Sequence, residues 1–270
     1  MTQNKLVAAC QKYLAIFKIQ IINSAAYPLD LATRSITMIL FMYIFASLWD
    51  ATYRAMGQTA IAGLSLRDTL WYLMIAETIV LSKPRLAHTI AESVKDGSIA
   101  YLLNKPYNFL LYHFSVAFGD GTLRLVFNAI AGGAIVWLMV GPPPELIGIP
   151  LVLIAVAGAW VIDCTMTALV GLTAFITEDV AAFDWIYSKL ILILGGTLIP
   201  LDFFPDWLRG LVTALPFAYT VYAPARFFVA PDLARLALLL AGQGFWIAIL
   251  ALILTIVFQR GMTRLTINGG

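Results

Sequence analysis

The chain has 270 residues, of which 61% are hydrophobic and only 12% charged, with a net charge of +2 and a mean hydropathy of +0.88. Soluble domains carry about 25% charged residues, so this chain cannot wet the surface of a soluble fold, and a polytopic membrane protein is the class that remains. The small net charge and the lack of basic patches interleaved with aromatics give no sign of a nucleic-acid partner, and Cys10 and Cys164 lie in different segments, one near the N-terminus and one deep in an apolar run, which argues against a disulfide framework or a metal site.

The first segment, "LVAACQKYLAIFKIQIINSAAYP", places Leu6, Cys10, Tyr13, Leu14, Phe17 and Ile21 at helical spacing, while Lys5, Lys12 and Lys18 keep largely off that face. Such a basic amphipathic helix over residues 1–27 is expected to lie in the inner membrane interface with its lysines toward headgroups. The segment lacks the apolar core and the small-residue cleavage site of a signal peptide.

A spanning helix needs about 20 mostly apolar residues, and about six segments qualify. They are Leu29–Leu48, Thr69–Ile90, Leu123–Val140, Ile147–Ile176, a fifth from near Ile186 into Pro200, and Leu236–Phe258. The fold class is therefore all-α, a single transmembrane domain over residues 1–270. Lys5, Lys12, Lys18, Lys83, Arg85, Lys95, Lys105, Lys189, Arg260 and Arg264 fall on one side of these spans. Arg54, Arg67, Arg209, Arg226 and Arg235 fall on the other. Arg34 and Arg124 sit near span ends. This bias places both termini in the cytoplasm.

Glu77 and Asp163 lie well inside the second and fourth spans, with no Lys or Arg evidently level with either. A mid-membrane carboxylate is costly unless it is neutralised, paired or wet. Each is read either as facing a translocation pathway or as a packing residue. Asp120 and Arg124, four apart on one face, read as a local pair. His88 and His113 flank the loop between the second and third spans without metal-ligand neighbours and read as interfacial. No catalytic constellation and no metal site is legible.

That loop, "AESVKDGSIAYLLNKPYNFLLYHF" from Ala91, is expected to form a cytosolic elbow over residues 91–107. Gly97 is a residue that readily takes the left-handed conformation ending a helix. Pro106 stops the short apolar stretch that follows. Val94, Ile99, Leu102 and Leu103 then stand on a segment with no domain of its own to bury them, and exposed apolar residues there point to a protein partner. Glu92, Lys95, Asp96 and Lys105 would rim such a contact.

The segment "LGGTLIPLDFFPDWLRGLVTALPFAYTVYAPARFF" is apolar yet broken by Pro200, Pro205, Pro216 and Pro224. Gly195 and Gly196 loosen the fifth span and Pro200 is expected to stop it, because proline lacks a donor and clashes with the preceding turn. A short helix follows, with Asp206 near its start. Irregular backbone at membrane depth survives only inside protein or beside a wet cavity. Residues 197–228 therefore read as a re-entrant outer hairpin, and Pro200, Phe203, Phe204, Pro205, Trp207 and Pro216 as an outer gate.

The N-terminal helix, the "VKDGSIAYLLNKPYN" elbow and this hairpin, in that order, resemble permease subunits of type-2 ABC exporters. In one branch of that family the elbow reads acidic, Gly five on, then Leu-Leu-x-Lys-Pro. Glu92, Gly97, Leu102, Leu103, Lys105 and Pro106 hold those places, and the "LTINGG" ending is similar too. The resemblance implies a permease in a bacterial cytoplasmic membrane, with the elbow as the coupling helix seated in a separate ATPase. It also implies a second permease copy or a paralogue completing the pathway. The chain lacks a Gly-x-x-x-x-Gly-Lys-Ser/Thr loop, so no cofactor is expected on it, and ATP and Mg would sit on the partner. A secondary transporter or channel is the alternative, although such proteins usually break helices in both halves and here only the fifth span is broken.

Overall fold

The computed structural model describes residues 2–145, 149–177 and 179–268, with the side chains of residues 2–6, 9, 31, 34 and 264–268 outside that description. The expected start of the fourth span at Ile147 and the closing Gly269 and Gly270 lie outside it. So do the side chains of Lys5, Leu6, Arg34 and Arg264.

The chain is helical, as its composition requires. In order come α1 (Thr2–Ala25), α2 (Pro28–Met56), a hairpin of β1 (Ala60–Ile61) and β2 (Leu64–Ser65), α3 (Leu66–Leu81), α4 (Leu86–Lys95) and α5 (Ser98–Leu103). Then follow α6 (Phe109–Val140), α7 (Ile149–Leu172), α8 (Ala181–Leu194), α9 (Asp206–Ala214), α10 (Pro216–Thr220), α11 (Tyr222–Val229) and α12 (Leu233–Asn268). Among the described residues, four stretches are long and apolar enough to cross a membrane unaided: Pro28–Met56, Phe109–Val140, Ile149–Phe175 and Leu233–Thr263.

The second and fifth expected spans differ from their sequence reading. Thr69–Ile90 is not one helix. It breaks between Leu81 and Leu86, where Pro84 removes a donor, and α3 alone is about 24 Å long at 1.5 Å per residue. The fifth helix begins at Ala181 and ends at Leu194, where Gly196 takes φ 72°. Gly195–Gly196, rather than Pro200, therefore ends it. The helix of the third span starts at Phe109 instead of Leu123, so it begins directly after the expected elbow.

A small β-hairpin between α2 and α3 was not anticipated from the sequence. Ala62 and Gly63 both have positive φ, 48° and 80°, which is the two-residue turn geometry that matches strand twist. Ser65 then caps α3 reciprocally with Asp68, satisfying donors that the first helical turn leaves open.

Contacts along the bundle give the helices their directions. Asp30 faces Arg124 and Met38 meets Gly132, so α2 runs parallel to α6. Trp71 Nε1 donates to Gly141 O and Asn128 Nδ2 donates to Ser82 Oγ, so α3 runs against α6. Helix α12 runs parallel to α7, since Gln243 Nε2 donates to Ala155 O at 2.8 Å and Phe175 packs on Gly261. Phe258 stacks on Phe109 at 5.7 Å, so the C-terminal end of α12 emerges beside the elbow. Helix α1 lies there too: Lys12 Nζ donates to Pro106 O, and the Asn108 N–H donates to Tyr13 Oη at 2.9 Å.

Close packing sets the α10–α12 contact. A Cβ on Gly242 would fall 2.3 Å from the Tyr219 ring, a rigid neighbour that cannot yield, whereas Gly244 faces open space. Gly242→Val is expected to lower the melting temperature of the detergent-purified chain, by an overpacking cost of about 1–3 kcal/mol. Gly244→Ala leaves it unchanged within error. Thermal melts of the two variants side by side check this.

Candidate functional site

The break at Pro84 has a chemical consequence. It drops Lys83 from the end of α3 into the protein, where its Nζ lies 2.5 Å from Asp163 Oδ1 on α7. Tyr187 on α8 donates its hydroxyl to the same oxygen at 2.5 Å, and Lys83 sits 5.7 Å from the centre of that ring. The Asp163 side chain is 4% exposed and that of Lys83 15%. The reading that no cation lies level with Asp163 is therefore corrected. A lysine counted toward the cytoplasmic charge bias is its partner, and it reaches Asp163 because the helix carrying it ends two residues earlier. A buried carboxylate held by a cation and a hydroxyl is satisfied.

Glu77 is a different case. It is buried on α3, and among the described residues no ion-pair partner reaches it. Of the two intramembrane carboxylates it is the one left uncompensated by the fold.

The elbow is a helix-turn-helix. Helix α4 ends at Lys95, and Gly97, at φ 74°, opens α5 in a conformation that side-chain-bearing residues rarely adopt. The Ser98 N–H donates to Asp96 Oδ1 at 2.8 Å, and this bond holds the Asp96 carboxyl below the usual carboxylate range. The apolar residues are less exposed than the sequence suggested, Ile99 fully buried and Val94, Leu102 and Leu103 half-buried. Ile99 is 1% exposed and packs with Leu86, Ile90, Phe109, Leu172 and Leu254, and Val94, Leu102 and Leu103 pack against the same cluster. The neighbouring ends of α4, α6, α7 and α12 supply the core that the elbow lacks in sequence.

What the elbow presents outward is Glu92, Lys95, Asp96, Ala100 and Tyr101. Tyr101 is 63% exposed, and Lys105 Nζ lies 4.2 Å from the centre of its ring. Pro106, at the end of the elbow, accepts from Lys12, so α1 and the elbow are tied together.

The proline-broken segment turns back toward the bundle. Its reversal is pinned by Tyr72, whose hydroxyl donates to Gly196 O at 2.6 Å. Arg226 Nε lies 3.1 Å from Asp202 Oδ1, tying the start of the segment to α11. Phe203 packs on Trp49 of α2 at 5.1 Å, and Phe217 of α10 lies 6.4 Å from Tyr187, close to the triad. Pro200 and Pro216 are buried, Phe203 and Phe204 half-buried, and Pro205 and Trp207 exposed. Pro216 opens α10 at a position where its missing donor costs nothing.

Three further side chains escaped the sequence reading. His113, expected at an interface, is buried against Phe109 at 4.4 Å. His88 lies 3.4 Å from Asp184, linking α4 to α8. Arg124 pairs with Asp120 at 2.9 Å as the spacing suggested, and also approaches Asp30 at 4.0 Å, which only the parallel packing of α2 and α6 brings near.

The family profile described as "ABC-2 family transporter protein" matches residues 36–269. No curated protein sequence matches the chain. The match covers most of the chain, which belongs to the ABC-2 transporter family and is a multi-pass membrane permease component of an ABC transporter.

The triad yields a sharp expectation. Asp163→Leu leaves Lys83 buried without a partner and is expected to cost about 3–5 kcal/mol. The double variant Lys83→Met, Asp163→Leu removes both charges and is expected to recover most of that loss. Thermal melts of the purified chain and its two variants read the difference.

Proposed function

We propose that this ABC-2 family chain is the membrane-spanning half of an ATP-driven exporter of a bacterial cytoplasmic membrane. Two permease subunits, identical or paralogous, form the pathway, and a separate ABC ATPase carries the ATP and Mg. The observation that carries this reading is the elbow. A short helix-turn-helix stands at the end of the bundle where α12 emerges, is braced from inside by its own apolar residues, and presents a polar, aromatic-centred face.

In this reading the coupling contact is made by Glu92, Lys95, Asp96 and Tyr101. Val94, Ile99, Leu102 and Leu103 serve instead as the keel that passes motion into the bundle. Gly97 sets the bend, and Lys105 and Pro106 end the short helix. Because α4 follows Lys83 directly, displacement of the elbow bears on the Lys83–Asp163–Tyr187 triad, and through it on α7 and α8. Helix α1 lies in the inner interface. Glu77 faces the pathway formed with the second subunit, and Pro200, Phe203, Phe204, Pro205, Trp207 and Pro216 form the outer closure. Both termini are cytoplasmic.

Two measurements test the reading. Tyr101→Asp places a charge at the centre of the contact face, and hot-spot residues of this kind contribute about 2 kcal/mol or more. The variant should insert and melt normally, yet lose co-purification with the ATPase and ATP-driven transport. Leu102→Asp should instead lower the melting temperature, because it charges the inward face. A Tyr101→Asp variant that keeps both co-purification and transport at the native level sinks the coupling assignment. For topology, Asp206→Cys in a Cys10→Ser background should react with an impermeant thiol reagent added outside intact cells. Labelling only after the cytoplasmic side is opened would invert the orientation.

A further inference from the structure

A polar cavity of about 510 Å³ lies where α1, α2, α4 and α6 meet, at the end of the bundle that carries the elbow. Gln20, Asp30, Arg85, His113, Asp120 and Arg124 supply its polar lining. A second cavity of about 310 Å³ shares Gln20, Asp30, Asp120 and Arg124 with it and continues past Asn23 and Tyr27 at the α1–α2 junction. No function described above uses either.

Two groups lining the larger cavity lack a partner among the described residues. Arg85 is exposed at the start of α4, and among the described residues no ion pair engages its guanidinium. His113 is 4% exposed, and its Nε2 is buried without a hydrogen-bond partner. A buried polar atom left unpaired is costly, so its retention at a cavity wall calls for a ligand. On the other side stand the carboxylates of Asp30 and Asp120, bracing Arg124 between them at 4.0 and 2.9 Å. The lining thus separates a donor side from an acidic side.

The depth of the cavity points to the class of ligand. Asp30 stands at the foot of α2, and Asp120 and Arg124 stand where the apolar run of α6 begins. Ile19, Ile22 and Leu29, on the two helices beside the cavity, are exposed apolar side chains. A polar pocket at the foot of apolar spans, flanked by such residues, sits at the level of lipid headgroups.

We propose that this cavity holds the headgroup of a zwitterionic aminophospholipid of the phosphatidylethanolamine type. Its phosphodiester accepts hydrogen bonds from Arg85 and His113, and its ammonium donates to the side lined by Asp30 and Asp120. The cavity presents both signs, Arg85 among its lining and the carboxylates of Asp30 and Asp120 beside it, which favours a zwitterionic headgroup over an anionic one. A choline headgroup cannot donate to the carboxylates because its nitrogen carries no hydrogen. The assignment rests on membrane residence alone and is independent of the coupling reading.

Native mass spectrometry of the delipidated full chain, titrated with dioleoyl-phosphatidylethanolamine, -phosphatidylglycerol and -phosphatidylcholine, decides it. The ethanolamine lipid is expected to bind most tightly, and Arg85→Ala to weaken it by about tenfold, as loss of one charge-assisted hydrogen bond predicts. Arg85→Lys should restore part of that loss, which separates lost recognition from lost folding. Soluble glycerophosphoethanolamine should not compete at matched concentrations. Equal affinity for the three lipids, or undiminished binding by Arg85→Ala, overturns the proposal. Full competition by the soluble ester would reassign the cavity to a free phosphoester and overturn the lipid.

Discussion

The ion pair between Lys83 and Asp163, with the Tyr187 hydroxyl on the same oxygen, is the constraint on which the arrangement of this protein turns. It sits where α3 has ended and α4 has not begun, and it joins that gap to α7 and α8. A continuous helix through Pro84 would leave the lysine elsewhere and the carboxylate unpaired. Breaking the helix costs backbone hydrogen bonds, and Ser82 recovers part of that loss by donating its hydroxyl to Thr78 O and accepting from Asn128. The polar chemistry of the joint is thus satisfied locally. A hydrophobic replacement would pack as well or better, so the pair's contribution lies in where it places its neighbours more than in net stability.

The elbow depends on that placement. Because α4 follows α7 closely, Ile90 lies against Gly171, and the apolar side of the elbow closes over the inner ends of α6, α7 and α12. Under the proposed coupling, a partner would meet Tyr101 and a set of charges in place of a row of leucines. This changes the physics expected of the contact. Rim charges tune register and encounter rate, and a single aromatic supplies the buried area. The apolar residues act inward, where a shift of the elbow is felt by close-packed side chains that cannot deform gradually.

The opposite end is organised by polar ties of a different kind. Tyr72 holds the turn at Gly196, Arg226 holds Asp202, and Gln243 donates both to Ala155 O and to Tyr219 O. The Tyr72 and Gln243 bonds join longer helices to the proline-broken segment or to each other, and the Arg226–Asp202 pair ties that segment to itself. Short helices that could not stand alone in a bilayer are thereby packed among longer ones, with their free backbone groups facing protein.

Composition and hydropathy were enough to establish an all-α membrane protein, because the need to solvate or bury side chains acts on every residue and needs no knowledge of contacts, whereas the family came from the resemblance of the N-terminal helix, the elbow and the hairpin taken in order. The Gly97 bend, the Asp120–Arg124 pair and the broken segment after Gly195 were legible for the same reason: each depends on residues adjacent or one helical turn apart. Other features rested on the tertiary structure alone. Lys83 and Asp163 are 80 residues apart, and Asp30 and Arg124 stand on different helices. The inward turn of Ile99 depends on a core that the neighbouring α4 and α6 cannot complete without Leu172 of α7 and Leu254 of α12. The charge count treated Lys83 as a surface cation and the apolar pattern treated Leu102 as exposed, because local sequence records what a residue prefers and only packing determines which neighbour meets that preference.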